Sequence, residues 1–96
     1  MGKIYIGQIG VQLTATVSQD VTSATCLIKY KKPDGETGSF AATIVTAATG
    51  VIRYTTDDAD DLDQAGVWIF WGHVAFSGGN VAAGEPYKEY IYDEGY

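Results

Sequence analysis

The sequence predicts an all-β fold: an antiparallel β-sandwich of six to eight strands, with one short helical turn near residues 58–62. Three observations predict it. Apolar and polar residues alternate with period two along most of the chain. Clusters of Gly, Asp, Asn, Ser and Pro punctuate the alternation at short intervals. The 3.6-residue recurrence of an amphipathic helix is nearly absent.

The elements follow in order. Lys3 to Ile6 is a short β segment, and Gly7 or Gly10 bends the chain after it. Ile9, Val11, Leu13, Ala15 and Val17 share one face of a half-buried strand. Asp20 to Ala24 is a polar turn. Thr25 to Lys31 returns as a strand with Cys26, Ile28 and Tyr30 on one face. Lys32-Pro33-Asp34-Gly35 is the strongest local signal. Pro presets φ, Asp bonds its own backbone, and Gly accepts positive φ, so a hairpin turn is expected. Gly38 to Val45 is the returning strand, with Phe40, Ala42 and Ile44 in phase. Thr46 to Gly50 turns the chain, and Val51 to Thr55 is a strand with Ile52 and Tyr54 in phase.

Thr55 to Gln64 breaks the pattern with a Thr followed by clustered acids. An N-cap-like Thr and acids in a first turn predict one helical turn over Asp58 to Leu62, with Leu62 plugging the core. Val67 to Val74 carries large apolar groups on both faces, which marks a central or covered strand. Ser77-Gly78-Gly79-Asn80 is a hairpin tip. Glu85 to Tyr92 is the last strand, and Pro86 places it at an edge at that point.

The 96 residues are expected to form a single domain, residues 1–96. No apolar run reaches the length of a membrane-spanning helix, and the opening residues lack the apolar core of a signal peptide. The net charge of -6 disfavours nucleic acid and anionic membranes as partners. The charge is uneven: residues 1–48 carry four cations against three carboxylates, and residues 49–96 carry two against nine. Such asymmetry steers one copy onto another or onto a basic partner; it also simply keeps a small domain soluble.

Chemistry-bearing groups are sparse. A lone Cys26 excludes an internal disulfide, and no Cys/His set for zinc exists. Cys26 reads as a small buried hydrophobe, and His73, its sole histidine partner for catalysis, lies in another apolar strand. Asp57, Asp58, Asp60, Asp61 and Asp63 form a weak calcium candidate, lacking the EF-hand order, and otherwise a solvated acidic turn. Pairing that cluster with Glu85 or Glu89 as glycosidase carboxylates would need a cleft and a raised pKa. No nucleophile triad, phosphate loop or dinucleotide fingerprint is present. The expectation is a protein that is not an enzyme and uses no cofactor or metal.

The aromatic residues divide by phase. Tyr30, Phe40, Tyr54, Trp68 and Phe70 point to the core. Trp71, Phe76, Tyr87, Tyr90, Tyr92 and Tyr96 are harder to bury together and are the interface candidates. A second face covered by a loop, or a carbohydrate-stacking site, would use the same residues.

Asp63-Gln64-Ala65-Gly66-Val67-Trp68-Ile69-Phe70 resembles the corner leading into the F strand of immunoglobulin-like domains. Trp68 stands for the corner Tyr and Phe70 for the Cys, so apolar packing replaces the inter-sheet disulfide. A longer resemblance runs through Lys3 to Gly7, Lys31 to Gly35, Arg53 to Thr56, Asp61 to Trp68 and Gly84-Glu85. With these segments the chain resembles the small immunoglobulin-like β-sandwich proteins of tailed bacteriophages, and is similar to the N-terminal domain of the phage upper baseplate protein family. The resemblance implies a virion structural protein of the tail, baseplate or neck. It would be made in the host bacterial cytoplasm and dock in multiple copies on other virion proteins in a symmetric assembly. The alternatives are a capsid decoration protein of the same fold and a carbohydrate-binding adhesion module.

Overall fold

The computed structural model describes residues 4–93 and residue 95. Among these residues nine strands form, not the six to eight expected: β1 Ile4–Tyr5, β2 Gln12–Thr16, β3 Thr25–Lys31, β4 Thr37–Ala41, β5 Thr43–Thr46, β6 Val51–Thr55, β7 Gly66–Ala75, β8 Val81–Ala83 and β9 Tyr87–Tyr92. Among the described residues there is no helix. A large sheet has the order β1-β9-β7-β3-β4, with β8 beside β7; a small sheet has the order β2-β6-β5. Neighbours are antiparallel except β1, which runs parallel to β9.

The two sheets share one core. Leu13 of β2, Ile28 of β3, Ile52 of β6, Trp68, Phe70 and Val74 of β7 and Ile91 of β9 are all buried in it. Gly72 shows how close the sheets lie. A Cβ there would sit 3.2 Å from Ala15 and Val17 and 3.3 Å from Ile52, so the missing side chain lets β7 pass close beneath the small sheet.

The turns form as their residues dictate. Gly35, at φ 93°, returns its N–H to the Lys32 carbonyl at 2.9 Å, and Asp34 accepts the Glu36 amide at 2.9 Å. Gly79, at φ 91°, does the same for the Phe76 carbonyl at 3.0 Å.

Four further expectations need correction. The helical turn over 58–62 is absent. One i to i+3 bond forms, from the Asp61 N–H to the Asp58 carbonyl at 3.0 Å. Carboxylates cap the amides before it: Asp60 N–H by Asp58 at 2.9 Å, Asp57 N–H by Asp61 at 3.2 Å. Such caps suit a first turn, but the segment is too short to continue it, since β7 begins at Gly66. Leu62 is nevertheless fully buried, as expected, and its carbonyl accepts the Gly7 amide at 2.9 Å.

The single strand expected over Gly38 to Val45 is two strands. Ala42 still donates to the Cys26 carbonyl at 3.0 Å, after which Thr43 pairs with Arg53 of the small sheet. Ile44 keeps the phase, opposite the buried Ile52, but β5 ends the small sheet and leaves Ile44 38% exposed. Ile9 is likewise 59% exposed rather than in line with Val11. Gly10, at φ 88°, turns the chain between them, and the strand proper begins at Gln12. Finally, the last strand begins at Tyr87, not Glu85; Val81–Ala83 pairs separately with β7, and Pro86 falls in the break.

Candidate protein interface

The large sheet positions the aromatic candidates by alternation. Trp68, Phe70 and Val74 of β7 turn inward, so Val67, Ile69, Trp71 and His73 turn outward. On β3 the outward residues are Leu27, Lys29 and Lys31, and on β9 they are Lys88, Tyr90 and Tyr92. Cross-strand register then assembles a continuous face: Tyr5 beside Tyr92, Tyr90 beside Val67, Trp71 beside Lys29, and Ile69 between Lys88 and Lys31. Tyr90 is 50% exposed and Val67 43%. The Tyr90 and Tyr92 rings lie 4.5 Å apart, and Tyr5 lies 6.3 Å from Tyr92.

The six candidates therefore separate. Trp71, Tyr90 and Tyr92 share the outer face. Phe76 and Tyr87 pack against the core cluster instead. Tyr87 lies 5.7 Å from Phe70, and burial pushes its hydroxyl up to about 12, with the Glu89 charge adding to this and a bond to the Thr14 backbone opposing it. Tyr96 lies outside the described residues.

The acidic candidates do not converge as a metal site. The Tyr54 hydroxyl donates to Asp61 at 2.6 Å and lies 3.2 Å from Asp57. Burial and these acids hold the Tyr54 hydroxyl well above the usual phenol range. Asp58 caps the Asp60 amide, and Asp63 pairs with Lys32 at 3.0 Å. Among the described residues no group of three or more His, Cys, Asp or Glu side chains is placed to hold a metal ion.

Cys26 and His73 are not brought together. Cys26 is buried on the inward face, where desolvation raises its thiol pKa. His73 stands on the outward face between Leu27 and Ala83. Glu85 lines a groove of about 580 Å³ between β2 and residues 83–87, whose walls include Thr14, Thr16, Ser18 and Tyr87. A shallower groove of about 330 Å³ lies on the outer face, lined by Lys29, Thr37, Gly38, Ser39 and Trp71.

One arrangement has no signal in the sequence. The Lys32 ammonium lies 5.9 Å from the Tyr30 ring centre and 5.7 Å from that of Trp68. Gln64 donates to Asp34 at 2.8 Å, and the Trp68 indole donates to the Gln64 carbonyl at 2.9 Å. Together these contacts tie the β3–β4 hairpin to the entrance of β7. Comparison with protein-family models and with curated proteins gives no match.

Proposed function

We propose that this chain is a non-enzymatic protein–protein docking module of immunoglobulin-like fold, a structural component of a tailed-phage virion in the tail, baseplate or neck. Strand order supports the fold. β2, β6 and β5 follow the B-E-D order of one immunoglobulin sheet, and β3, β7 and β9 follow C-F-G of the other, with β4 in the place of C′. Trp68 supports it further: its indole bonds a carbonyl four residues upstream, as the corner Tyr does, and its ring lies 5.8 Å from Phe70 in a stacked arrangement.

The docking role rests on one observation, the outer face of the large sheet. Trp71, Tyr90 and Tyr92 stand there with Val67 and Ile69, and it is these aromatic and apolar groups that favour protein contacts. The tyrosine rings are tilted by 46° and 53° to one another, so they offer no flat platform for a sugar ring.

The test is quantitative mass spectrometry of purified virions separated into heads and tails. The expected result is the chain in the tail fraction at the low copy number of a ring. A copy number near that of the major capsid protein, on heads, would overturn the tail placement in favour of decoration. Absence from both fractions would overturn the virion reading.

A further inference from the structure

β4 is the regular open edge of the large sheet. Lys32 donates to the Glu36 carbonyl at 2.7 Å and Ala42 to the Cys26 carbonyl at 3.0 Å. That phase turns the backbone groups of Gly38 and Phe40 toward β3. The N–H and C=O groups of Thr37, Ser39 and Ala41 therefore point away from it, and β4 ends the strand order. Other edges are interrupted. β5 carries a bulge between Ile44 and Thr46. β2 is faced by Gly84, where a Cβ would lie 2.5 Å from the Thr16 carbonyl oxygen, and by the Tyr87 hydroxyl at the Thr14 backbone. β9 is flanked by β1 at Ile91 and Tyr92.

Exposed edges usually carry a charge or Pro that prevents pairing. From Gly38 to Ile52 the chain has neither. The outward positions of β3, β4 and β7 include Lys29 and Lys31 and no carboxylate, in a chain whose net charge is -6. Glu36, just before the strand, lies 3.8 Å from Lys32. Lys29 and Lys31 stand opposite Ser39 and Thr37, and Leu27 stands opposite Ala41. The small side chains on β4 leave both ammonium groups room to reach past the edge. Next to it lies the groove of about 330 Å³ walled by Trp71 and Lys29.

We propose that β4 accepts an extended acidic segment of a partner protein as an added strand. Carboxylates would sit opposite Thr37 and Ser39, within reach of Lys31 and Lys29, and an apolar side chain opposite Ala41, beside Leu27. The main chain supplies the affinity and the alternate side chains supply the choice of partner. A second copy pairing through the same strand is disfavoured, because it would gather Lys29 and Lys31 of both copies on one face. The inference rests on the docking reading and names its surface and its partner's chemistry.

The test uses the peptide Thr-Glu-Thr-Glu-Thr-Val-Thr and its Gln-for-Glu counterpart, titrated into the whole chain and followed by amide NMR. Slowed exchange is expected at Thr37, Ser39 and Ala41, with the Gln peptide about fivefold weaker. Ser39→Pro should abolish binding, since the lost amide faces outward. The surface variant Lys29→Gln/Lys31→Gln should cost the Glu peptide the same factor while leaving the fold intact. Equal affinity for both peptides, protection at another edge, or unchanged binding by S39P would overturn the proposal. Virion fractionation reads separately. The chain in tails with no peptide binding overturns this edge alone, and peptide binding by a chain absent from virions overturns the virion reading alone.

Discussion

Lys32 reaches from the β3–β4 hairpin to Asp63 at the entrance of β7, its ammonium 3.0 Å from one carboxylate oxygen and 3.1 Å from the other. Its side chain is 12% exposed, whereas that of Asp63 is 40% exposed. The bond to Asp63 raises the Lys32 pKa above the ordinary value. The geometry is asymmetric. Asp63 meets Lys32 from the solvent side, while the rings of Tyr30 and Trp68 flank the cation. An exposed ion pair contributes little, but a cation shielded over aromatic rings with its stem packed contributes more.

Lys32→Ala should therefore destabilise the domain by about 1–2 kcal/mol. Asp63→Asn should cost less than about 1 kcal/mol. Urea midpoints of the two variants, at equal slope, check this. Equal losses would mean that the ion pair, not the ring contact, carries the energy.

Tyr87 makes stability depend on alkaline pH. Its hydroxyl is raised from 10.0 to about 12 in the folded state, and Tyr54 is raised as well. A raised pKa means that the fold prefers the neutral phenol. The stabilisation is thus fully present below pH 10, the unfolded value, and is lost as pH climbs toward 12. Denaturant midpoints should be flat with respect to these two groups below pH 10 and fall over the following two units. Tyr87→Phe should make that fall shallower. An unchanged slope in the variant would rule out Tyr87 as its source.

What the sequence revealed was local or periodic. Pro33, Asp34 and Gly35 encode their hairpin within four residues, and the alternation of Trp68, Phe70, Gly72 and Val74 against Val67, Ile69, Trp71 and His73 fixes both faces of β7. Of the six aromatic candidates, Trp71, Tyr90 and Tyr92 stand on the outer face, a division the sequence did not make. Alternation failed wherever the chain changed sheet or register. Phe40, Ala42 and Ile44 keep period two through a change of sheet at Ala42, because Ala fits either environment. Tyr87 looked unburied because Pro86 hides where β9 begins. The acids that read as a helix start cap a single turn, and the short run before β7 leaves no length to extend it. Contacts such as Lys32 with Asp63 join residues far apart in sequence and leave no pattern to read.

Asp61 ties the acidic turn to β6. Asp61 accepts the Tyr54 hydroxyl at 2.6 Å and the Asp57 amide at 3.2 Å. Asp61→Ala should cost about 1–2 kcal/mol, and Asp60→Ala, with no such bonds to a neighbouring strand, close to nothing. One oxygen each of Asp58 and Asp61 and both oxygens of Asp63 are engaged within the fold. Millimolar calcium should therefore raise Tm no more than millimolar magnesium does. A rise specific to calcium in a thermal scan, lost in D61A, would refute this account.

Gly72 tests the spacing of the two sheets directly. An added methyl would press on Ala15 and Val17 at 3.2 Å and on Ile52 at 3.3 Å. All three neighbours are buried, and their side chains are short or β-branched, with little freedom to withdraw. Over-packing of this kind costs about 1–3 kcal/mol. Gly72→Ala should fall in that range, while Gly78→Ala, with nothing within 4 Å of the new Cβ, should change stability by only a few tenths. Chemical denaturation of both variants separates the packing effect from a generic loss of glycine. If Gly72→Ala proved neutral, the sheets would have room to part, and β7 would not be clamped beneath β2 and β6 as its contacts require.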